Sequence, residues 1–138
     1  MKFTTKTEYG LVCLIHMAKQ GADRMVTIKK IVHQERFSHT YIEKILQQLK
    51  AADIVVSHQG KEGGYTLARS PSQITMREII EALEGDTFHI YCKPSRRKGI
   101  VCTHFSSLCA LKPIWGRTKN LLDDFFNGIT LEAIAKEV

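Results

Sequence analysis

The strongest constraint on the fold is an apolar stripe in the middle of the chain. Its members recur at the i, i+3, i+4, i+7 spacing that buries one face of a helix: Ile42, Ile45, Leu46 and Leu49. A shorter helix is predicted before it, with Thr27 as its N-cap and a break at residues 36–37 as its end. Two helices joined by a tight turn are typical of a helix-turn-helix.

Hydroxyl residues followed three positions later by glutamate mark the predicted helix starts. Thr5 and Glu8 have this capping-box form, so we expect a first helix that begins at Thr5 and runs to the next loop glycine. The second helix of the helix-turn-helix is expected to be capped by Ser38 or Thr40. Thr40 and Glu43 also fit a capping box, which predicts a stable start for this helix.

The residues after the helix-turn-helix predict a β-hairpin. The strand candidates are residues 54–56 and 65–67, which are short and rich in β-branched or aromatic side chains. Three glycines, at positions 60, 63 and 64, lie between them together with Lys61. A helix-turn-helix followed by a hairpin is a winged helix. The predicted fold class is therefore mainly α, with a small β-hairpin wing.

Two further helices are predicted towards the C-terminus. Thr75 and Glu78 form a third capping box, and Gly85 ends the helix that they open. Residues 86–108 show no periodicity, and a long helix follows from about residue 108 to residue 127. Apolar residues dominate one side of this helix and its flanks: Leu111, Ile114, Trp115, Leu121, Leu122 and Phe125.

This long helix carries more apolar surface than one small domain can cover. The chain has 138 residues, the length of a single domain. A matching helix across a two-fold axis would cover the surplus, and most soluble oligomers are such dimers. We therefore predict a homodimer joined through this helix; the alternative is a helix that packs only on its own winged helix. Thr130 is expected to cap a final short helix.

The predictions divide the chain into three parts. Residues 1–85 form the winged-helix DNA-binding domain, and residues 86–110 form a cysteine-bearing loop that would hold a cluster. Residues 111–138 form the dimerisation helix and the C-terminal helix.

The charge of the chain indicates the kind of partner it binds, and its hydropathy indicates the cellular compartment. The chain has 20 Lys and Arg against 14 Asp and Glu, a net charge of +6 that favours an anionic partner. The longest apolar run, residues 11–15, is far shorter than the roughly 20 residues of a membrane span. The N-terminus lacks the apolar core of a signal peptide. We therefore expect a cytoplasmic protein with no membrane partner, in a compartment where cysteines more often bind metal or react than form disulfides.

The exposed face of the second helix predicts contacts to DNA, because a helix-turn-helix inserts the start of that helix into the major groove. The candidates are Ser38, His39, Thr40, Tyr41, Glu43, Lys44 and Gln47. Hydroxyl groups reach phosphates and base edges, and Glu43 can accept from a cytosine amino group. Gln59 and Lys61 are the candidates on the wing. We expect an operator in double-stranded DNA as the partner; a winged helix that binds only protein is the alternative.

The cysteines divide into one and three. Cys13 lies in the apolar part of the first helix and is expected to be a small buried hydrophobe. Cys92, Cys102 and Cys109 have the spacing C-x9-C-x6-C, with the basic run 93–98 between the first two. Without a C-x2-C knuckle, a structural zinc site is weakly indicated. The spacing alone leaves an iron–sulfur cluster, zinc and a thiol switch open.

Several motifs together resemble the Rrf2 family of winged-helix transcription regulators, and in particular its iron–sulfur members of the IscR, NsrR and RirA type. The matching segments are Thr7-Glu8-Tyr9-Gly10-Leu11, Tyr41-Ile42-Glu43-Lys44-Ile45-Leu46, Gly60-Lys61-Glu62-Gly63-Gly64-Tyr65, Ile74-Thr75, Leu83-Glu84-Gly85 and Ile129-Thr130-Leu131-Glu132. The resemblance implies a homodimer joined through the long helix. It also implies a 2Fe–2S or 4Fe–4S cluster near the dimer interface that is coupled to operator affinity.

The resemblance carries over to particular residues. It implies that Cys92, Cys102 and Cys109 are cluster ligands, although the first gap is longer than usual in the family. Where some members have a histidine ligand this chain has Lys112, and where others have an aspartate in the first helix it has Glu8. Glu8 from the partner subunit is therefore the candidate fourth ligand, and its alternative role is capping with Thr5. His33, His89 and His104 are the fallback ligands. The family's wing arginine is replaced here by Gln59.

These observations predict a dimeric DNA-binding repressor that senses iron–sulfur status, nitric oxide or redox state through its cluster. A cluster-free regulator of the CymR type, which acts through a protein partner or a thiol switch, is the alternative. The sequence has no glycine-rich phosphate loop, nucleophile elbow or paired acid–base motif. We therefore expect no catalytic residues, no small-molecule substrate and no enzymatic activity.

Overall fold

The structure, a computed structural model, describes residues 2–61, 63–89 and 109–138. In this part of the chain the helices are α1 (Thr5–Gln20), α2 (Ile28–Glu35), α3 (His39–Ala51), α4 (Met76–Glu84), α5 (Leu111–Asn127) and α6 (Leu131–Glu137). The strands are β1 (Val55–His58) and β2 (Gly64–Leu67), and a short 3-10 turn covers Pro71–Gln73. The predicted fold class, mainly helical with a hairpin, is confirmed. Across the described ranges, no helix combines the length and the apolarity that a membrane crossing requires.

The helix-turn-helix consists of α2 and α3. Thr27 caps α2 as predicted, since its hydroxyl accepts from the Lys30 amide at 3.2 Å. The chain turns at Arg36, which takes a left-handed conformation with φ of 58°. The predicted stripe of α3 is fully buried: Ile42, Ile45, Leu46 and Leu49. Burying each of these side chains contributes roughly 1.5–3 kcal/mol, so the stripe fixes α3 on the core.

Both helices begin where the sequence predicted, α1 at Thr5 and α3 after Ser38, one of its two predicted N-caps, but their predicted capping boxes do not form. The N-cap of α1 is Thr4, whose hydroxyl accepts from the Lys6 amide, rather than Thr5. Thr5 instead pairs its hydroxyl with that of Tyr41 at 3.0 Å, so it is not free to cap. The N-cap of α3 is Ser38, but its side chain makes no capping hydrogen bond. The capping boxes predicted for Thr5–Glu8 and Thr40–Glu43 are therefore absent.

The third capping box is confirmed. The Thr75 hydroxyl accepts from the Glu78 amide at 3.3 Å, and the Glu78 carboxylate accepts from the Thr75 amide at 2.9 Å. Gly85 ends α4 in a left-handed conformation, as its sequence position predicted. Thr130 caps α6, also as predicted.

The wing is a two-stranded antiparallel hairpin whose pairs run from Val55 opposite Leu67 to His58 opposite Gly64. A third segment joins β2 near the turn of the hairpin, because Val26 and Tyr65 exchange two backbone hydrogen bonds of 2.9 Å. This close approach requires glycine at position 64. A Cβ there would lie 2.5 Å from Met25 Cγ and 2.9 Å from the Val26 carbonyl oxygen. The wing is therefore fixed to the segment that leads into α2.

Helix α1 lies at the centre of the molecule, where it packs against α3, α4 and α6. Gly10 permits its close contact with α4, since a Cβ at this position would overlap Leu83 Cδ1. Leu131 of α6 is buried in the same core as Leu14 of α1.

Helix α5 begins at Leu111, three residues later than predicted, with Ala110 as an N-cap that offers no side-chain hydrogen bond. Its Asp123 and Phe126 are buried.

Candidate nucleic-acid interface and cysteine segment

The start of α3 presents a polar face to solvent. Six of the predicted DNA contacts are exposed there: Ser38, His39, Thr40, Glu43, Lys44 and Gln47. The buried stripe holds the opposite face of the helix on the core, so this polar face is available to a groove of DNA. Gln59 and Lys61 are exposed at the tip of the wing. The structure thus places these candidates on the two elements that a winged helix presents to DNA.

Tyr41 differs from the other candidates because it is half-buried and has intramolecular partners. Its hydroxyl pairs with that of Thr5, and its ring meets the Tyr9 ring edge-on at a centroid distance of 5.6 Å. Tyr9 in turn stacks on Phe37. This aromatic cluster, Tyr9, Phe37 and Tyr41, joins α1 to the start of α3. Sequence reasoning missed it, although an apolar residue such as Phe37 just before an N-cap is a known packing signal.

The described thiols have different environments. Cys13 is fully buried in the core, as predicted. Burial raises the pKa of the Cys13 thiol to about 12, so it remains protonated and is a poor metal ligand. Cys109 is half-buried, carries a free thiol and lies two residues before the start of α5. Cys92 and Cys102 lie outside the described residues.

Glu8 lies on α1 directly before Tyr9, a member of the aromatic cluster, and its side chain is exposed. Because Thr4 caps the helix, the alternative role of Glu8 as the capping partner of Thr5 is excluded. Within the described ranges its carboxylate makes no hydrogen bond or ion pair. The donor chemistry therefore fits an iron–sulfur cluster at the two described positions, a free thiol at Cys109 and an unengaged carboxylate at Glu8.

An ion-pair network anchors Asp86 and Thr87, at the beginning of the predicted cysteine-bearing loop 86–110, to α5. Lys119 lies 2.5 Å from Asp86 and 3.1 Å from Asp123, and the Thr87 hydroxyl donates to Asp123. Arg77 of α4 lies 3.5 Å from Asp123. Thr87 is thus held against α5 by Asp123, and Cys109 lies two residues before the same helix begins.

The network stabilises the charged forms of Asp123 and Lys119. Burial raises the pKa of Asp123, but the hydrogen bonds from Thr87 and Lys119 outweigh it, so the pKa lies below its ordinary value. Burial alone would lower the pKa of Lys119. Its hydrogen bonds to Asp86 and Asp123 outweigh burial, so the pKa of Lys119 lies above its ordinary value. The carboxylate oxygens of Glu81, Asp86 and Asp123 lie within 4.8 Å of one another. Each of the three carboxylates already pairs with Lys119 or Arg77, so this group does not call for a metal ion.

The outer side of α5 is an apolar surface, which we call the α5 face. Its large side chains are exposed in the single chain: Leu111, Ile114, Trp115, Leu121 and Phe125. The exposed fraction is 71% for Leu121 and 63% for Phe125, whereas Phe126 on the inner side is 8% exposed. An exposed apolar surface of this kind is typical of an interaction site.

The chain is similar to one known protein family along nearly its whole length. A family model described as Rrf2, iron-dependent transcriptional regulator, matches residues 3–137. The Rrf2 protein of Nitratidesulfovibrio vulgaris is 28% identical over 137 residues, which cover 99% of this chain and 89% of that protein.

Solved structures agree with the fold. The structure of CymR, described as the global cysteine regulator of B. subtilis, matches with a TM-score of 0.78 and 28% identity, over 100% of this chain and 98% of that one. IscR of T. potens matches with a TM-score of 0.73 and 26% identity, over 99% of this chain and 88% of that one.

Proposed function

The chain belongs to the Rrf2 family of transcriptional regulators, and we propose that it is a homodimeric repressor whose binding to an operator is controlled by an iron–sulfur cluster. It is a regulator and not an enzyme, as the sequence predicted. The observation that carries the proposal is the free, half-buried thiol of Cys109 at the foot of α5, in a chain whose family model is described as iron-dependent.

DNA recognition rests on α3 and the wing. The exposed start of α3 enters the major groove, where His39, Thr40 and Glu43 face base edges and Lys44 adds charge. Lys61 at the wing tip lies beside the adjacent minor groove. The Tyr41 hydroxyl is already oriented by Thr5, so it can contact a phosphate without losing rotational freedom on binding.

Cys92, Cys102 and Cys109 would hold the cluster through their thiolates, and Glu8 of the partner subunit would be the fourth ligand. When bound, the cluster provides a redox- and nitric-oxide-sensitive group. Cys13 takes no part, because its thiol is buried and protonated. The basic run between Cys92 and Cys102 offsets the negative charge of the cluster.

The dimer forms through the α5 face. Two copies of this face cover each other's apolar side chains across a two-fold axis, which is the common arrangement in soluble dimers. The two copies of α3 then read half-sites about 34 Å apart, or one helical turn of DNA.

Signal transfer runs through α1. Glu8, which would hold the cluster, is followed by Tyr9, and Tyr9 packs against Phe37 and Tyr41 at the start of α3. A change in the position of α1 therefore reaches the residues that face DNA. Coupling of about 1–3 kcal/mol, or ~5–150-fold in operator affinity, is typical of such linkage.

A cluster-free thiol switch is the second candidate function. It is favoured by the match to CymR, described as a global cysteine regulator, at a TM-score of 0.78. Because Cys13 is protonated, such a switch would use Cys109 or the cysteines outside the described residues.

Anaerobic purification separates the two candidates. Visible absorption together with iron and sulfide assays should show a coloured protein that contains both elements. Cys102→Ala should abolish the colour, whereas the matched variant Cys13→Ala should retain it. A wild-type protein that stays colourless after anaerobic reconstitution, but binds DNA and responds to oxidant, would establish the thiol switch instead.

A further inference from the structure

A cleft on the DNA-facing side lies between the first turn of α2, the first residue of α3 and the wing. Its volume is about 290 Å³. The residues that line it include Lys29, His39 and His58, together with Ser57, Gly63 and Gly64. None of the described residues that line it is acidic.

We propose that this cleft holds the sugar–phosphate backbone of the bound DNA, with Lys29 and His58 as its phosphate contacts. The inference rests on the proposed DNA binding and adds two residues and a strand path to it. In a duplex, a sugar–phosphate strand separates each major groove from the adjacent minor groove. If α3 occupies the major groove and the wing reaches the minor groove, that strand must pass between His39 and the wing, which is where the cleft lies.

The chemistry of the cleft suits an anion. Lys29 is exposed and supplies a full positive charge from α2. The Nε2 atom of His58 lies 2.8 Å from Thr66 Oγ1, which fixes the orientation of the ring. When the Thr66 hydroxyl donates to Nε2, the proton of the imidazole is on Nδ1, which is then a donor for a phosphate oxygen.

The cleft is formed before DNA binds. The two backbone hydrogen bonds between Val26 and Tyr65 join the wing to the segment that enters α2. The absence of a side chain at Gly64 lets the two backbones approach this closely. Its walls therefore need little ordering on binding, which preserves affinity.

The salt dependence of binding tests the proposal without knowledge of the operator. Non-specific binding to a mixed-sequence 30-base-pair duplex is measured by fluorescence anisotropy at several salt concentrations, because such binding is carried by phosphate contacts. The slope of log K against log salt is negative, and Lys29→Gln should make it less steep by about 0.9 for each bound chain. His58→Ala should weaken binding about three- to tenfold through the loss of one hydrogen bond.

Lys30→Gln is the matched control, since Lys30 is the exposed neighbour on the same helix and does not line the cleft. An equal loss of slope in both lysine variants would overturn the proposal, because it would reflect net charge alone. A wild-type slope in Lys29→Gln would also overturn it while leaving DNA binding intact. Failure of the folded wild-type protein to bind any duplex would instead refute the proposed function itself.

Discussion

Tyr9 stacks on Phe37, with ring centroids 4.0 Å apart and an interplanar angle of 12°. The pair joins the first turns of α1 to the residue that precedes the N-cap of α3. Since Tyr41 packs on Tyr9 as well, α1 and the start of the DNA-facing helix share one aromatic cluster. The position of one helix is therefore tied to that of the other.

The energetic coupling within this pair can be measured with Tyr9→Leu, Phe37→Leu and the double variant. Stacked aromatic pairs contribute about 0.5–1.5 kcal/mol beyond area burial. Urea unfolding should therefore give a double-mutant cycle with a coupling free energy in that range. Strictly additive losses in the two single variants would show that the rings are independent.

The stability of the protein should depend on Glu84 in a pH-dependent manner. One of its oxygens accepts from the Thr4 amide at 2.8 Å, the Thr4 hydroxyl at 2.6 Å and the Thr7 hydroxyl at 2.7 Å. Burial raises the pKa of Glu84, but these hydrogen bonds outweigh it and hold the pKa below its ordinary value. The folded state thus favours the charged form.

Because the folded pKa of Glu84 is depressed, its stabilisation is complete above the ordinary glutamate value of about 4.3 and is lost as the pH falls through the lower folded value. Glu84→Gln should lower the free energy of unfolding by about 1 kcal/mol at pH 7, and the difference from wild type should shrink in acid. Urea unfolding at pH 7 and pH 3 measures both. Glu132→Gln, in the exposed pair with Lys136, should cost less than about 0.5 kcal/mol. A Glu84→Gln deficit that is constant with pH would contradict this prediction.

The α5 face should determine the oligomeric state. Leu121→Glu places a charge on a side chain that is 71% exposed in the single chain, so the monomer fold should survive. Each chain of the dimer loses about 1.5–3 kcal/mol of apolar burial, which weakens association about 100-fold or more. Sedimentation equilibrium checks the dissociation constant. Asn120→Glu adds the same charge at an exposed polar position of α5 and should leave it unchanged.

Cys13 should resist chemical modification in the native protein. Burial raises the pKa of its thiol to about 12, and thiolate is the reactive species. After treatment of the metal-free protein with iodoacetamide at pH 8, mass spectrometry should find Cys109 alkylated and Cys13 unmodified. Unfolding in urea before treatment should make both reactive. Rapid native labelling of Cys13 would show that the core opens around α1.

Local patterns in the sequence were sufficient for the helix-turn-helix, the hairpin and the Thr75–Glu78 capping box, because each depends on residues close together in the chain. They were insufficient where neighbouring residues have equivalent chemistry. Thr4 and Thr5 can both cap α1, and the choice depends on Tyr41, which occupies the Thr5 hydroxyl from 36 positions away. The role of Lys119 depends in the same way on Asp86, which only the packing of α5 brings near.

The candidate site was predicted unevenly for the same reason. The exposed start of α3 follows directly from the buried stripe, so its polar residues were predictable. Lys29 and His58 were not, because they share a cleft only after the wing folds back onto the segment before α2. The predicted ligand roles of Cys92, Cys102, Cys109 and Glu8 stay predictions.

A methyl group added at Gly10 would overlap Leu83 Cδ1, so either this buried side chain or α4 itself must move to accommodate it. Helix α4 carries Arg77, which pairs with Asp123 of α5, so an outward shift of α4 would be passed to α5. In the proposed dimer, the orientation of α5 sets how far apart the two copies of α3 stand. Gly10→Ala should therefore alter which spacing between operator half-sites binds best, without changing any residue that touches a base. The preferred spacing of the operator half-sites would then depend partly on packing in the interior of the protein.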